Sequence, residues 1–349
     1  MPTRRGSDGA LRVAFVYPNS RHELAAEVAA GAAPDSTLLG QNHIGEFGVD
    51  AWIHDPALTR RRSSRLRWNL REVVLPWEVA DADVAFTGLA ALFPLAARVR
   101  RRPRVAVLNY GLCTIWDRSA RPRRELLRAA LRAARVVVCA SEWQRKRLGE
   151  QTGLDPERTV TVPLGIDADY FSPRAAPERE PYVLTVGKDM ARDYRTFVQA
   201  VAPLGVRIEI CAYARNLEGV ELPPQAHAHV VGPAELRELY AGAACVVVPQ
   251  RRQEYPWGSE GGGTTALLEA MAMARPVVAT DRPGLHDYAA DGRTVRFVPP
   301  EDPAALREAV EAAIGDEHLG SAAREHVMQG LTTRHMAQRL APVLVAAAG

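Results

Sequence analysis

Short apolar runs alternate with amphipathic stretches along the whole chain, and this order limits the folds open to it. Parallel strands need a long crossover between them, usually a helix, so the alternation is typical of parallel sheets covered by helices. Strand-like runs occupy 11–18, 82–86, 105–110, 136–141 and 159–164, and then 182–187, 207–213, 229–232, 245–250, 276–280 and 295–300. The sequence therefore predicts an α/β protein with two doubly wound, Rossmann-like domains.

The chain of 349 residues exceeds what one hydrophobic core usually supports, in agreement with two domains. Residues 172–182 are rich in proline and charge and are interpreted as a linker. The predicted domains are 1–172 and 173–325, facing each other across a cleft. A tail, 326–349, is predicted to be helical throughout and to cross back to the first domain.

Composition excludes several classes of protein. No apolar stretch reaches the length of a membrane span, and the polar start MPTRRGSDGA lacks the features of a signal peptide, so we expect a cytoplasmic protein. The four cysteines form no CxxC pair and the nine histidines show no ligand spacing. The sequence predicts neither a metal nor a cofactor, and it leaves open whether copies of the chain form a homo-oligomer.

Charge is unevenly divided along the chain. Residues 1–172 hold 26 arginines and lysines against 19 acidic residues, and the remainder is net acidic. The basic runs at 60–72 and 98–104 contain no aromatic residue except Trp68, so stacking on nucleic-acid bases is not expected. A solvated face is the default interpretation, and attraction to an anionic acceptor or to a lipid headgroup is the alternative.

Parallel sheets bind ligands beyond the carboxyl ends of their strands, and the richest loop of this kind is 256–272. Three glycines, Gly261, Gly262 and Gly263, allow a ligand to approach the backbone closely. Thr264 and Thr265 are predicted to cap the following helix, whose first amides suit a diphosphate. Glu269 lies in the first turns of that helix, where its carboxylate can accept hydrogen bonds from a ribose diol. The alternative is a glycine turn with a solvated glutamate.

A second candidate loop, 186–194, follows the first strand of the second half. Gly187 begins it, and Lys188 and Arg192 place two cations beside the strand end. Two such cations can clamp a pyrophosphate and stabilise its charge as it leaves. The alternative is that both are exposed surface charges paired with Asp189 and Asp193.

The order of these segments resembles that of the retaining glycosyltransferases of family 4, which have the GT-B architecture. The resembling stretches are 140–148, 162–173, 183–194, 229–250, 261–280 and 284–306, within a region of about 136–315. The resemblance implies that Lys188 and Arg192 hold the diphosphate of a nucleotide sugar and that Glu269 binds its ribose. It also places the loop around 229–236 near the base.

Two features depart from the family pattern. Family members carry two glutamates with seven residues between them; the second matches Glu269, and the first falls here on Gly261, with Glu260 one residue earlier. We carry its role, contact with the transferred sugar, to Glu260; backbone amides of the glycines are the alternative. Lys188 comes first in the phosphate-binding pair, and Arg192 is one residue short of the usual spacing.

The first half matches the family poorly. Four residues are candidates on the acceptor side: Asn19, His43, Asn109 and Tyr110. Asn109 and Tyr110 end a strand where many family members place a histidine near the reacting centre. For each of them, a loop residue satisfied by local contacts is the favoured alternative.

The sequence thus predicts a retaining, metal-independent transferase that moves a hexosyl-type group from a nucleotide sugar to a small polar acceptor. The nucleotide sugar, with UDP or GDP as the expected nucleotide, is a co-substrate rather than a cofactor. The arginine-rich composition is compatible with bacterial natural-product biosynthesis. The alternatives are a peripheral membrane enzyme with a lipid acceptor, although membrane contact is not favoured, and a non-catalytic protein that binds sugar nucleotides.

Overall fold

The computed structural model describes residues 10–55, 65–88, 91–175 and 180–349, with the backbone alone over 65–71. Part of the basic run at 60–72 and part of the predicted linker at 172–182 therefore lie outside the described residues. The chain divides into two compact units. The first comprises 1–30, 35–164 and 333–349, and the second comprises 31–34 and 165–332. The first unit thus includes the end of the chain, and the second begins at 165, whereas the sequence analysis placed the boundary after 172.

The first unit is built on a parallel sheet of six strands in the order β2-β1-β3-β4-β5-β6. Its strands are β1 Leu11–Val16, β2 Val49–His54, β3 Val84–Thr87, β4 Arg104–Asn109, β5 Val136–Cys139 and β6 Thr159–Thr161. The prediction missed β2. This strand lies at the sheet edge and carries Asp50 and His54, so it lacks the continuous apolar run of strands buried on both faces.

Helices cover both faces of this sheet. They are α1 His22–Ala29, α2 Arg65–Glu78, α3 Phe93–Arg100, α4 Leu112–Asp117, α5 Arg121–Ala133, α6 Glu142–Thr152 and α12 Thr333–Ala348. On one face, Leu131 and Phe93 pack with Val107. On the other face, Leu340 and Leu344 of α12 pack with the strands, so the last helix of the chain completes the core of the first unit.

The second unit also contains a six-stranded parallel sheet, in the order β12-β11-β10-β7-β8-β9. Its strands are β7 Tyr182–Val186, β8 Arg207–Cys211, β9 Ala226–His229, β10 Ala243–Val248, β11 Val277–Thr280 and β12 Arg296–Val298. Its helices are α7 Tyr194–Val201, α8 Pro233–Gly242, α9 Thr264–Ala272, α10 Pro303–Ala313 and α11 Glu317–Gly330.

Two predictions about the second half were wrong in detail. The strand expected at 229–232 ends at His229, because Gly232 is the N-cap of α8 and Pro233 is its first residue. The tail is not helical throughout: it breaks between α11 and α12. The carbonyl of Leu331 accepts from the amide of Ile166 at 2.9 Å, and Thr332 forms a bridge to the same residue, so these backbone groups pair outside the helix. Over the described residues, no helix is long and apolar enough to cross a membrane.

Gly320 provides a test of the packing of α11. A Cβ at this position would lie 2.3 Å from the carbonyl oxygen of Ala274 and 2.9 Å from its carbonyl carbon, and backbone cannot move aside cheaply. We expect Gly320→Ala to lower the free energy of unfolding by about 1–3 kcal/mol.

Gly149 in α6 is the matched control, because a Cβ there meets nothing within 4 Å. Gly149→Ala should therefore stabilise the protein by up to about 1 kcal/mol. Chemical denaturation of both variants measures the two effects, and equal changes in stability would contradict the packing described for Gly320.

Candidate functional site

Three loops adjoin at the carboxyl edge of the second sheet. They follow β7, β10 and β11, which are neighbours in the sheet. The loop after β7 runs from Gly187 to Asp193, and the loop after β10 contains the triple glycine. The loops that the sequence analysis selected are therefore neighbours in space, as the topology of a doubly wound sheet requires.

Arg192 belongs to the loop after β7 and is only 6% exposed. Its guanidinium packs directly on Gly187: a Cβ at Gly187 would lie 2.0 Å from Nε and 2.7 Å from Cζ, so only glycine fits there. Its backbone pairs with that of Gln250. Nε and Nη1 are buried and have no hydrogen-bond acceptor among the described residues. A buried cation with unpaired donors is costly, and an anionic ligand would compensate it.

Lys188 is exposed, and its Nζ lies 4.8 Å from the centre of the Tyr213 ring. The backbone of this loop is held by Asn216, whose Nδ2 donates to the carbonyl oxygens of Lys188 at 3.3 Å and Asp189 at 3.2 Å. The ammonium group thus stands on an aromatic face beside a fixed backbone, where it can reach an anion.

Asp189 joins the two glycine-containing loops. Its Oδ1 accepts from the amide of Ala191 at 2.7 Å, and its Oδ2 accepts from the amide of Ser259 at 2.9 Å. Asp193 instead caps α7 through Thr196. The alternative that both cations are exposed charges paired with these aspartates is therefore wrong for Arg192, which is buried. Lys188 is exposed, as that alternative expected, but both carboxylates bind other groups.

Arg282, in the loop after β11, supports the glycine-rich loop from beneath. Its guanidinium donates to Gln250 Oε1 at 3.1 Å, to Gln253 Oε1 at 2.5 Å, to the carbonyl oxygen of Arg251 at 3.1 Å and to that of Glu260 at 3.5 Å. Burial lowers the pKa of Arg282 from 12.5 to about 10, so the side chain remains cationic at neutral pH.

Gln250 is completely buried beneath the glycines. Because its Oε1 faces Arg282, its Nε2 points to the loop and has no acceptor within the described structure. A Cβ at Gly263 would lie 2.5 Å from this nitrogen, and Gly263 has a φ of 94°, so glycine is required there on two counts.

Helix α9 begins at Thr264, with Gly263 as its N-cap and no side-chain cap hydrogen bond. The prediction that Thr264 and Thr265 cap this helix was wrong, since both are already inside its first turn. Gly261 and Gly262 lead into it. The first amides of a helix have no partner within it, so the start of α9 presents backbone donors at a positive helix end. The amides of Gly261 and Gly262 instead donate to Ser259.

Glu269 projects from α9 and is buried. Its Oε2 accepts from the hydroxyl of Tyr240 at 2.8 Å. Burial raises the pKa of Glu269 from 4.5 to about 7, although Tyr240, Arg192 and Lys188 each act to lower it. The structure thus places Glu269, the residue predicted to bind the ribose, close enough to Lys188 and Arg192 for their charges to affect its pKa. Those two residues are the ones predicted to bind the diphosphate.

Glu260 is 6% exposed. It is therefore not a solvent-facing loop residue. Its carbonyl is held by Arg282, and its position one residue before the glycines remains a departure from the family spacing.

The acceptor candidates lie in the first unit and differ in their surroundings. Asn19 is exposed after β1, and Tyr110 is 66% exposed after β4. Asn109 is buried, and its Oδ1 accepts from the amides of Gly111 and Leu112 at 3.3 and 2.8 Å. His43 precedes β2, and its two ring nitrogens lie 3.1 Å from Asp35 and 3.0 Å from Glu46. Local contacts thus satisfy His43 and Asn109.

The sequence analysis missed Gln250, Arg282 and Tyr240, and it missed the role of Asp189 in joining the loops. Gln250 and Arg282 each follow a strand by two residues, so a strict search of the carboxyl ends would have found them. Tyr240 lies inside α8 and carries no such signal. In the described residues, no group of three or more histidine, cysteine, aspartate or glutamate side chains is arranged to hold a metal ion.

Comparison with known proteins agrees with this architecture. The profile of Glycosyltransferase Family 4 matches residues 10–170, and that of Glycosyl transferases group 1 matches residues 180–316. Anabaena HepE in complex with UDP-glucose has a TM-score of 0.69 at 13% identity, covering 96% of this chain and 99% of that one.

Among curated proteins, the D-inositol 3-phosphate glycosyltransferase of Geodermatophilus obscurus is 32% identical over 225 residues, which are 56% of this chain and 48% of that protein. The match thus spans about half the length of that relative. The alpha-D-kanosaminyltransferase of Streptomyces kanamyceticus is 26% identical over 313 residues, covering 79% of this chain and 77% of that protein.

Two six-stranded parallel sheets in two α/β units, together with these matches, define the GT-B architecture. The two profiles between them match residues 10–170 and 180–316. The chain belongs to the family 4 glycosyltransferases.

The raised pKa of Glu269 predicts a pH-dependent stability. Below pH 4.5, the ordinary pKa of a glutamate, Glu269 is protonated in both the folded and the unfolded state, and folding buries no charge. Above about pH 7 the folded state must bury a carboxylate, which lowers the free energy of unfolding. Glu269→Gln removes this cost and keeps an acceptor for Tyr240. It should therefore stabilise the protein above pH 7, by at most ~3 kcal/mol, and have little effect near pH 4.5.

Urea unfolding of both proteins at about pH 8 and pH 5 measures the difference. Glu308→Gln, an exposed change on α10, is the control that removes the same charge. A gain for Glu269→Gln that is the same at both pH values would contradict the buried-carboxylate assignment.

Proposed function

We propose that this protein is a retaining glycosyltransferase that moves a hexosyl-type group from a nucleoside diphosphate sugar to a small polar acceptor. The donor binds at the carboxyl edge of the second sheet. Lys188 and Arg192 bind the diphosphate, Glu269 binds the ribose diol, and Glu260 contacts the transferred sugar. Metal independence is part of the proposal, because two fixed cations and a helix N-terminus supply positive charge at this edge.

The buried guanidinium of Arg192 is the single observation that carries the proposal. Two of its nitrogens have no acceptor among the described residues, and it is held against Gly187 beside the start of the triple-glycine loop. A diphosphate supplies several acceptor oxygens with the negative charge that this group lacks. An arginine held in place before the ligand binds needs little reorganisation when charge develops.

In the proposed step, an acceptor hydroxyl oxygen attacks the anomeric carbon from the face that the diphosphate leaves. The bond from the anomeric carbon to the phosphate oxygen breaks, and its electron pair stays with the diphosphate. The acceptor proton passes to a departing phosphate oxygen, so no other base is required. Lys188, Arg192 and the amides at the start of α9 stabilise the developing charge.

The relatives and the site support the proposed donor and acceptor classes. Anabaena HepE is in complex with UDP-glucose, which supports UDP as the nucleotide, with GDP as the other expected choice. The names of the Geodermatophilus and Streptomyces relatives refer to D-inositol 3-phosphate and to the transfer of a kanosaminyl group. A small polar acceptor, a cytoplasmic location and a role in natural-product biosynthesis are the corresponding proposals here.

If Lys188 and Arg192 bind the diphosphate, either alanine substitution should weaken UDP binding. A lost charge-assisted hydrogen bond corresponds to about a ten- to hundredfold change in affinity. Isothermal titration calorimetry with UDP and GDP measures it. Arg195→Ala is the control, because this arginine lies on the same segment but is exposed and donates only to the carbonyl of Gly219. Unchanged affinity in both site variants, with the fold intact, would refute the clamp.

Glu260 should affect turnover rather than nucleotide binding, since a contact with the transferred sugar that strengthens in the transition state appears in kcat. We expect Glu260→Gln to lower kcat at least about tenfold while UDP affinity stays within about twofold. Donor hydrolysis and transfer assays with UDP-glucose measure turnover.

Glu254→Gln provides the matched control for this loop, because it removes one acidic charge between β10 and the glycines. Turnover at the parental level in Glu260→Gln would leave the backbone amides of the glycines as the groups that hold the sugar. Nucleotide binding without hydrolysis or transfer in the parent protein would favour the non-catalytic alternative.

A further inference from the structure

A cleft of about 860 Å³ lies in the first unit, at the amino ends of β4, β5 and β6. It is therefore at the opposite sheet edge from Asn19 and Tyr110, which follow carboxyl ends. The end of α3, the end of α5 and the last turns of α12 complete its walls. Six arginines line it: Arg98, Arg101, Arg104, Arg132, Arg135 and Arg158.

The positive charge of this cleft is not neutralised by the protein. Within the ranges that the structure describes, none of the six arginines forms an ion pair, and Glu157 is the single acidic residue of the lining. Arg158 is held in place, because its Nη2 donates to the backbone carbonyls of Arg132 and Ala134. The other five are exposed. Cations gathered around one concave surface repel each other and concentrate anions there.

Phosphate is the anion that this set of side chains fits best. The guanidinium group binds phosphate oxygens in a two-pronged geometry, and several such groups around one cleft can share a cluster of phosphates. The volume lies within the range of small-molecule sites, roughly 300–1,000 Å³. The lining contains no aromatic residue, so it offers no surface on which nucleic-acid bases could stack.

Part of the lining of the cleft is apolar. Val105, Val136 and Val343 are among the lining residues. Apolar side chains beside several arginines suit a phosphate group that carries a nonpolar portion as well as a free polyphosphate.

We propose that this cleft is a second anion site, separate from the donor loops, that binds a phosphate-bearing ligand. The phosphate is presented either by a free small molecule or by the headgroup of an anionic lipid. The site is independent of the transfer reaction, since none of its residues belongs to the donor edge.

The test compares two pairs of substitutions that remove the same charge. Arg104→Gln with Arg135→Gln changes the cleft where β4 and β5 begin. Arg121→Gln with Arg123→Gln changes exposed arginines at the far end of α5. Arg98→Gln with Arg132→Gln is a second cleft pair, used if the first pair fails to fold. All proteins also carry Arg192→Ala, so that phosphate bound at the donor loops does not contribute.

One arm titrates sodium tripolyphosphate by calorimetry. The other measures co-sedimentation with vesicles of phosphatidylcholine that contain or lack phosphatidylglycerol. Both arms are run at low salt and repeated at higher salt, which weakens binding to phosphate by screening.

At least about tenfold weaker tripolyphosphate binding in the cleft pair than in the control pair supports the site and identifies a free phosphate ligand. Sedimentation that requires phosphatidylglycerol and is lost only in the cleft pair supports it and identifies a lipid headgroup. Equal losses in both pairs, or no binding in either arm, would overturn the proposal. A protein that binds a single-stranded oligonucleotide but neither tripolyphosphate nor the vesicles would also overturn the proposal.

Discussion

The donor edge of the second unit depends on the packing of one buried guanidinium against one glycine. Arg192 occupies the space in which any side chain at Gly187 would lie, and two of its nitrogens are left without acceptors among the described residues. A cation so placed is unfavourable in isolation. The loop keeps it there because Asp189 binds the amides of Ala191 and Ser259 and so joins the loops on either side. This edge of the sheet therefore holds a buried cation in a fixed position, with donors left for an acceptor outside the described residues.

Two buried ionisable groups support this edge in different ways. Arg282 remains a cation because burial lowers its pKa only to about 10, and its guanidinium donates to four oxygen atoms of the glycine-rich loop and its neighbours. Glu269 has one hydroxyl donor, Tyr240, and the charges of Arg192 and Lys188 only partly offset its burial. The pKa of Glu269 is therefore near neutral, whereas Arg282, which supports the glycine-rich loop, does not titrate near pH 7.

The predictions from sequence succeeded where a strand is buried on both faces. Runs such as those of β4 and β10 are continuously apolar, and both strands lie where they were expected. The edge strand β2 was missed because it is only half-buried and carries polar residues. The break in the tail was missed because Leu331 and Thr332 interrupt the helix through backbone pairing with Ile166, a contact far away in the chain.

The sequence by itself determined the parallel-sheet class and the two loops that meet at the carboxyl edge of the second sheet, because these follow from local periodicity and from loops that come after strands. The donor-binding roles of Lys188, Arg192 and Glu269 stay predictions. Only the tertiary structure decided which charges are buried. Glu269 meets Tyr240 from 29 residues away, and Asp189 meets Ser259 from 70 residues away. It also gathered six arginines from 98–158 around one cleft. Burial and charge clustering depend on which segments pack together, and local sequence does not contain those distances.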